Sequence, residues 1–259
     1  MPTKSTPQVL QRLYSIDPSS PDFLRYLYRL IQVDDKEQYL INLGGSELSR
    51  LVDFLDKALS PPLAADDISR RCLHKLQVIC GHHSVLPSSY TLIGDLARVG
   101  DEPVASGGFS DVWEGILNGD KVCIKYLRCC AQNRQSIEKA FYKEAIIWKR
   151  LEHPNIVPFI SVTQNPMQFV SGWMPNGTLT DYVNKNPDAD RIGLLLDVAK
   201  GLAYLHANHN THGDLKGDNV LVDQSNHARL TDFGFASVVR ELNSVLVTQV
   251  QGYTARWAA

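Results

Sequence analysis

The chain has 259 residues, 44% of them hydrophobic, so it can bury a substantial core as one large domain or two smaller ones. Its net charge of -2, with acidic and basic residues interspersed, gives no reason to expect a nucleic acid partner. No apolar run approaches the roughly 18 residues of a membrane span, and the five cysteines are odd in number, which favours a reducing compartment over a disulfide scaffold. We therefore expect a soluble, cytoplasmic protein without a membrane partner or a signal peptide.

Residues 1–90 have the apolar periodicity of helices. The residues that recur at helical spacing are Phe23, Leu27, Leu30 and Ile31, then Leu48, Leu51, Val52, Leu55 and Leu59, then Ile68, Cys72, Leu76 and Ile79. Glycines and prolines between these segments provide helix boundaries. The pattern predicts an N-terminal all-helical region whose leucine stripes form a core. A groove that binds a protein partner is the alternative.

Two Cys-x-His pairs in this region raise the question of a zinc site. They are Cys72 with His74 and Cys80 with His82. Two residues along a helix correspond to a rotation of about 200°, so the members of each pair face opposite ways. We expect no metal there.

After about residue 100 the pattern changes to short β-like runs separated by turns. Between two of these runs lies Val104–Val112, with the sequence VASGGFSDV, whose small residues let backbone N–H groups approach phosphate oxygens. The strand that follows ends in Lys125, which is aimed at the same pocket. An unpaired buried charge is costly, so this lysine needs an anionic partner, and Glu144 in a downstream helical segment can supply it.

The segment Thr211–Val220, with the sequence THGDLKGDNV, is followed downstream by a Thr-Asp-Phe-Gly run, and together they indicate a phosphoryl-transfer site. An acid, a lysine and an amide at this spacing, Asp214, Lys216 and Asn219, can orient a hydroxyl, steady a phosphate and hold a metal. Asp232 supplies a second oxygen ligand. Magnesium bound to a nucleotide typically takes only one or two protein carboxylates, so this donor set is sufficient.

These five motifs occur in the order of a protein kinase catalytic domain, which residues 97–259 resemble. Lys216 resembles the serine/threonine pattern, and the sequence is similar to the tyrosine-kinase-like branch. The resemblance implies an α+β, bilobal fold, with a β-rich N-lobe at about residues 97–174 and a partial helical C-lobe at residues 175–259. It also implies ATP and Mg²⁺ as cofactors, and protein substrates that carry serine or threonine.

The resemblance also implies roles for individual residues. Asp214 orients the substrate hydroxyl and accepts its proton, and Lys216 neutralises charge on the γ-phosphate. Lys125, paired with Glu144, grips the α- and β-phosphates. Asn219 and Asp232 hold magnesium. The nucleotide pocket comprises Ala105, Ser106, Gly107, Gly108, Phe109, Val112, Lys125, Met174 and Leu221, with Ser171 at the gatekeeper position.

Three departures from the family pattern lie inside these motifs. Ala105 and Ser110 stand where the first and third loop glycines are usual, which should stiffen the loop. Gly213 replaces an arginine, removing the usual cationic partner of a phosphorylated activation segment. Cys123 replaces the usual alanine of the lysine strand, and its apolar surroundings predict an unreactive packing thiol.

A fourth departure concerns the last residues, which resemble the substrate-facing loop that precedes a Pro-Glu pair in kinases. The sequence ends before that pair, so the resemblance implies a truncated domain. We expect the apolar helical face that would pack on the later helices to be exposed. Its residues are Leu194, Leu195, Val198, Leu202 and Leu205.

Two other function classes remain open. The sequence HGDL at His212–Leu215 also resembles the catalytic loop of small-molecule kinases for aminoglycosides or choline. The Asp-Phe-Gly triplet and the long segment that follows it argue against that class. The other alternative is a catalytically impaired, kinase-like protein that binds a nucleotide or a partner without turnover.

Overall fold

The chain divides into two units, Met1–Ser89 and Tyr90–Ala259. The computed structural model describes residues 15–17, 20, 22, 26, 45–59, 67–108, 110–129 and 134–233. The predicted apolar residues Phe23, Leu27, Leu30 and Ile31 and the last residues of the chain therefore lie outside the described part. Within the described part, no helix is long and apolar enough to cross a membrane.

The described part of the first unit contains helices α1 (Gly45–Ala58) and α2 (Asp67–His83). Most of the predicted stripe residues in these helices are buried, namely Leu48, Leu51, Val52, Leu55, Cys72, Leu76 and Ile79. Asp53 and Asp56 of α1 accept hydrogen bonds from Ser88 N–H (2.5 Å) and Ser89 Oγ (2.7 Å). The segment after α2 is thereby fastened to α1, and the stripes serve as core.

The two Cys-x-His pairs of α2 are split between the inside and the outside of the helix. Cys72 and Cys80 are buried, whereas His74 and His82 are exposed. The helical rotation that separates the members of each pair is therefore observed. No cluster of three or more metal-ligating side chains occurs among the described residues.

The second unit begins with an antiparallel sheet. Its strands are β1 (Leu96–Arg98), β2 (Ala105–Ser106), β3 (Ser110–Leu117), β4 (Asp120–Leu127), β5 (Phe159–Gln164) and β6 (Met167–Gly172). Their order is β1-β3-β4-β6-β5, and β2 pairs with β3. Asn118 and Gly119 join β3 to β4 with φ angles of 53° and 96°, the left-handed pair that a two-residue hairpin turn requires. This turn fixes the register that sets Val112 opposite Lys125.

The described part of the second unit also contains three helices and a small hairpin. They are α3 (Arg134–Trp148), α4 (Leu179–Lys185), α5 (Arg191–Ala207), β7 (Val220–Val222) and β8 (Ala228–Leu230). The Thr178 hydroxyl accepts from Asp181 N–H at the start of α4, and the Asp190 carboxylate does the same from Gly193 N–H for α5. The predicted α+β kinase fold is confirmed, with a β-rich lobe followed by helices.

The exposed face of α5 differs from the prediction. Leu194 and Leu205 are buried at 4% and 0% exposure, because this side of α5 packs on β8. At Gly201 an added Cβ would lie only 2.8 Å from the Asn155 carbonyl oxygen, so the helix approaches its neighbour closely there. The large apolar residues of α5 that are exposed are Ile192, Leu195 and Leu196. The prediction was wrong for Leu194 and Leu205, because apolar residues occur on all sides of this helix and the sequence does not single out one face.

The close approach at Gly201 gives a test of this packing. Helix propensity alone predicts that Gly201→Ala stabilises the protein by about 1 kcal/mol. We expect destabilisation by about 1–3 kcal/mol instead, since the new methyl meets backbone and overpacked sites cost this much. Urea unfolding of the full chain measures it. Ala203→Gly, on the exposed side of the same helix, is the control and should cost about 1 kcal/mol. Stabilisation by Gly201→Ala would contradict the packing described.

Candidate active site

The predicted catalytic residues meet at one end of the β7–β8 hairpin. A 3₁₀ turn, Gly217–Asn219, leads into β7, and the segment after β8 returns beside it. Thr231 N–H donates to the Asn219 carbonyl oxygen at 3.1 Å, which sets Asp232 next to Asn219. The two separate sequence motifs are therefore joined by backbone pairing.

Asp214 is held through one of its two carboxylate oxygens. Its Oδ2 accepts from Lys216 Nζ at 2.9 Å and from Asn219 Nδ2 at 3.0 Å. The same Asn219 nitrogen also donates to the Asp214 carbonyl oxygen at 2.8 Å. The side chain is 41% exposed, and among the described residues no hydrogen bond reaches Oδ1. An oriented carboxylate with one accessible oxygen suits the binding of a hydroxyl and its proton.

Asn219 and Asp232 present oxygen atoms of the kind that magnesium prefers. The nitrogen of the buried Asn219 amide donates to Asp214. No hydrogen bond within the described ranges involves Oδ1 of Asn219. Asp232 binds Lys125 through Oδ1 and has Oδ2 remaining. Two hard oxygen donors on adjacent segments fit a magnesium ion that also takes phosphate oxygens.

The ion pair of the site joins Lys125 to Asp232. The Lys125 Nζ lies 2.5 Å from Asp232 Oδ1. Glu144, the predicted partner of Lys125, is 3% exposed, and its Oε2 has no hydrogen-bond partner in the part of the chain that the structure describes. The expected Lys125–Glu144 pair is therefore replaced by a Lys125–Asp232 pair in this structure.

Burial and the ion pair together set the charge state of these three groups. Burial raises the pKa of Glu144 to about 8, although the Lys125 charge partly opposes this. Burial alone would lower the pKa of Lys125, but the Asp232 and Glu144 carboxylates raise it above its ordinary value. Burial alone would also raise the pKa of Asp232, but the Lys125 charge lowers it. The cluster at neutral pH is thus an ion pair beside a largely protonated Glu144.

The glycine-rich loop leaves room above its turn. Ala105 and Ser106 form β2, and Gly107 N–H donates to the Ser110 carbonyl oxygen at 2.8 Å. A Cβ added to Gly108 would meet nothing within 4 Å, and one added to Gly107 would meet only Ser110, at 3.7 Å or beyond. The protein's own packing therefore does not require these glycines, and the space suits a ligand that approaches the backbone. Phe109 lies outside the described residues.

Two residues that the sequence pattern did not single out fix this loop. Arg128 donates to the Gly107 carbonyl oxygen, and its Nη1 lies 3.3 Å from Asp111 Oδ1. Asp111 also accepts from Ser106 Oγ at 2.8 Å. A lone arginine after a strand carries no recognisable sequence signal, so only the structure reveals this contact.

The predicted adenine side of the pocket lies on β4, β6 and β7. Cys123 stands opposite Ser171, and Val112 opposite Lys125, in the strand register. Burial raises the pKa of the Cys123 thiol to about 11, against a lowering hydrogen bond from Ser171, which agrees with the unreactive thiol expected. The segment after Met174 pairs with β7 through a bridge between Thr178 and Leu221.

His212 and Gly213 have structural positions in the catalytic loop. His212 is 3% exposed, its ring lies edge-on to Phe233 at 6.3 Å, and burial lowers its pKa. These features favour a packing role for His212 over a role as a base. Gly213 has φ 79°, a backbone conformation that arginine rarely adopts. Glycine adopts this φ angle without a steric cost, so Gly213 suits the backbone of the loop.

Comparison with known proteins agrees with this geometry. The model of the family described as protein tyrosine and serine/threonine kinase matches residues 99–259. The chain is 32% identical over 162 residues to serine/threonine-protein kinase STY46 of Arabidopsis thaliana, covering 60% of this chain and 28% of that protein. It is 34% identical over 163 residues to dual specificity protein kinase zakA of Dictyostelium discoideum, covering 53% and 21%. It is 36% identical over 156 residues to receptor tyrosine-protein kinase erbB-4 of Mus musculus, covering 56% and 12%. The chain spans less than a third of the length of each relative.

The raised pKa of Glu144 predicts a specific dependence of stability on pH. The ordinary pKa is 4.5 and the folded value is about 8, so the folded state retains a proton that the unfolded state releases. Stability associated with this proton is present below about pH 4.5 and is lost as the pH rises through 8. Glu144→Gln mimics the protonated form. Relative to the native chain, it should gain on the order of 1 kcal/mol of stability per pH unit across this window.

Denaturant unfolding of both proteins at several pH values measures this difference. Glu102→Gln, at an exposed carboxylate in a loop of the same unit, is the control and should leave the pH profile of stability unchanged. Parallel profiles for the native protein and Glu144→Gln would show that Glu144 is ionised in the folded state.

Proposed function

Because the chain belongs to the protein tyrosine and serine/threonine kinase family, we propose that it transfers the γ-phosphoryl group of ATP to serine or threonine hydroxyls of proteins. The observation that carries this proposal is the joining of the Asp214 and Asp232 segments by the Thr231–Asn219 backbone bond. The ion pair with Asp232 holds Lys125 of the sheet beside these two segments. Positioning and charge stabilisation are the main requirements of phosphoryl transfer, and this arrangement provides both.

Asp214 is the proposed base. Lys216 and Asn219 fix one carboxylate oxygen, so the exposed Oδ1 can accept the hydroxyl proton of a substrate as the oxygen attacks. The Lys216 ammonium, 2.9 Å from Oδ2, lies close enough to offset negative charge on the transferred phosphoryl group. The presence of this lysine favours serine and threonine over tyrosine as acceptors, in agreement with the names of several relatives.

Asn219 and Asp232 are the proposed magnesium ligands, through Oδ1 of the amide and Oδ2 of the carboxylate. When bound, magnesium neutralises charge on the β- and γ-phosphates. The open space at Gly107 and Gly108 receives phosphate oxygens, with the Gly108 backbone N–H as donor. Lys125, on the strand beneath this loop, supplies the cation for the α- and β-phosphates.

Binding of nucleotide without turnover is the second candidate function. It is favoured by the Lys125–Asp232 pair, which occupies one oxygen of a proposed magnesium ligand and leaves Glu144 protonated. The two candidates differ in one measurement, namely phosphate transfer to a generic serine/threonine substrate by a protein that binds magnesium-ATP. Transfer supports the kinase proposal, and binding alone supports the second candidate.

Lys125 and Asp232 should both be required for binding of magnesium-ATP. Lys125→Met removes the phosphate cation, and Asp232→Asn removes the charge of a metal ligand while keeping a residue that tolerates the φ angle of 60°. We expect each to weaken affinity by about tenfold or more, because charge-assisted contacts are worth about 1.5–3 kcal/mol. Calorimetric titration with and without magnesium measures this.

Lys121→Met is the matched control for this experiment. Lys121 is on the same strand and pairs with Glu114 at 2.7 Å, with half of its side chain exposed. Its loss should leave nucleotide affinity unchanged. Equal affinities and equal magnesium dependence in the native protein, Lys125→Met and Asp232→Asn would contradict the proposed site.

Asp214→Asn should separate catalysis from binding. The amide keeps the shape of the side chain but is a poor proton acceptor, so we expect phosphate transfer to fall by about 10²–10⁴-fold. Affinity for magnesium-ATP should change little, since Asp214 is not among the proposed nucleotide ligands. Steady-state transfer and calorimetry on the same samples measure both. Asp218→Asn, an exposed acid in the same loop, serves as control, and retained transfer by Asp214→Asn would exclude Asp214 as the base.

A further inference from the structure

Tyr90 is a fully buried residue outside the family match. The match begins at residue 99, whereas Tyr90 is the first residue of the second unit. Its exposure is 0%, which places it among the largest fully buried side chains of the described residues. A tyrosine so deeply buried ahead of the matched region requires an explanation beyond the five motifs.

The backbone after Tyr90 runs along the outer edge of the sheet. Thr91 forms a parallel bridge with Val162 of β5, and Leu92 N–H donates to the Val162 carbonyl oxygen at 3.2 Å. Strand β5 is the last in the sheet order, so it presents unpaired backbone groups that this segment covers in part. The position of Tyr90 is thereby fixed relative to β5.

The side chain of Tyr90 holds the end of helix α3 by two contacts. Lys149 Nζ lies over its ring, 4.1 Å from the centroid, and Arg150 donates a hydrogen bond to its hydroxyl. Arg150 also donates to the Ile146 carbonyl oxygen at 2.8 Å, in the last turn of the helix. Lys149 and Arg150 directly follow α3, so Tyr90 binds the residues through which that helix ends.

Helix α3 connects this contact to the reacting groups. The ring centroid of Trp148, its last residue, lies 5.8 Å from that of Phe159 and 5.7 Å from that of Phe233. The Phe159 centroid lies 6.0 Å from the Tyr90 centroid. Trp148 Nε1 donates to the Val157 carbonyl oxygen at 2.8 Å, which fixes its orientation. Phe233 follows Asp232 in the chain. Glu144 lies one turn before Trp148 on the same helix.

We propose that Tyr90 is a positioning residue for phosphoryl transfer, which fixes the C-terminal end of α3 and thereby Trp148 and the Asp232–Phe233 segment. The inference rests on the proposed function. In this proposal Tyr90 acts through these contacts and not directly on a reacting group. The covered sheet edge and the end of α3 both consist of residues of the second unit.

The test compares Tyr90→Leu and Tyr90→Phe in the full chain with Leu117→Ala. Leu117 is buried in a cluster with Val122, Ile124 and Val170, against which Leu92 also packs, and this cluster does not include Tyr90, α3 or Phe233. Its truncation therefore lowers the stability of the same unit at a different place. Tyr90→Phe keeps the ring and removes only the hydroxyl. It should fold even if Tyr90→Leu does not, because it preserves the packing and loses one hydrogen bond.

The first measurement is amide hydrogen exchange, which does not depend on activity. In the Tyr90 variants, exchange should rise at residues 145–151 and 231–233, and rise more in Tyr90→Leu than in Tyr90→Phe. In Leu117→Ala, any increase should not be concentrated at these two segments. Equal exchange patterns in the Tyr90 variants and Leu117→Ala would overturn the inference, whether or not the protein is a kinase.

The second measurement is phosphate transfer at temperatures equally far below each melting point. Tyr90→Leu should lower kcat/KM on the order of tenfold, since displacement of about 1 Å at a catalytic group costs up to about 100-fold. Tyr90→Phe should retain most of the activity, and Leu117→Ala should match the native protein. Equal loss in Tyr90→Leu and Leu117→Ala would show a merely structural role. Absence of transfer by the native chain would refute the proposed function instead, and the exchange data would then decide the position of α3.

Discussion

The ion pair between Lys125 and Asp232 is the constraint on which the rest of the site depends. It joins the middle of the sheet to the segment after β8, across 107 residues of sequence. The Lys125 side chain is only 12% exposed, and a charge placed so is costly unless it is paired, so the pair fixes which carboxylate is ionised. Glu144, buried beside the same ammonium without a hydrogen bond to its Oε2, is left with a pKa of about 8.

A frame of backbone hydrogen bonds holds Asp232 where this pair needs it. Leu230 N–H donates to the Asn155 carbonyl oxygen at 2.9 Å, and Val157 N–H donates to the Leu230 carbonyl oxygen at 3.0 Å. The Asn155 side chain and the buried Asp197 carboxylate bind Ala228 from the two sides of β8. Asp232 has a φ angle of 60°, which is strained for a residue other than glycine. These hydrogen bonds to the surrounding backbone offset the cost of that strain.

The sequence was sufficient for the fold, and it singled out the residues Asp214, Asn219 and Asp232 that the structure brings together, because they lie in short motifs at fixed spacing. It was insufficient for the partner of Lys125, because Glu144 and Asp232 are both acidic and only the distances across the fold distinguish them. The buried face of α5 was missed because Leu194 and Leu195 are equivalent in a pattern of apolar residues. Arg128 and Tyr90 were missed because a single arginine or tyrosine has no signature until its neighbours in space are known.

One ammonium between two carboxylates has a further consequence under the proposed function. The Coulomb attraction of Lys125 favours ionisation of whichever carboxylate it faces, and burial favours the neutral form of the other. A ligand that competes with Lys125 for Asp232 weakens the ion pair between them. The Lys125 ammonium then interacts chiefly with Glu144. Glu144 then loses its proton more readily. Under the proposed function, occupancy of the metal position and protonation of Glu144 would be linked equilibria, in which each shifts the other by the same free energy.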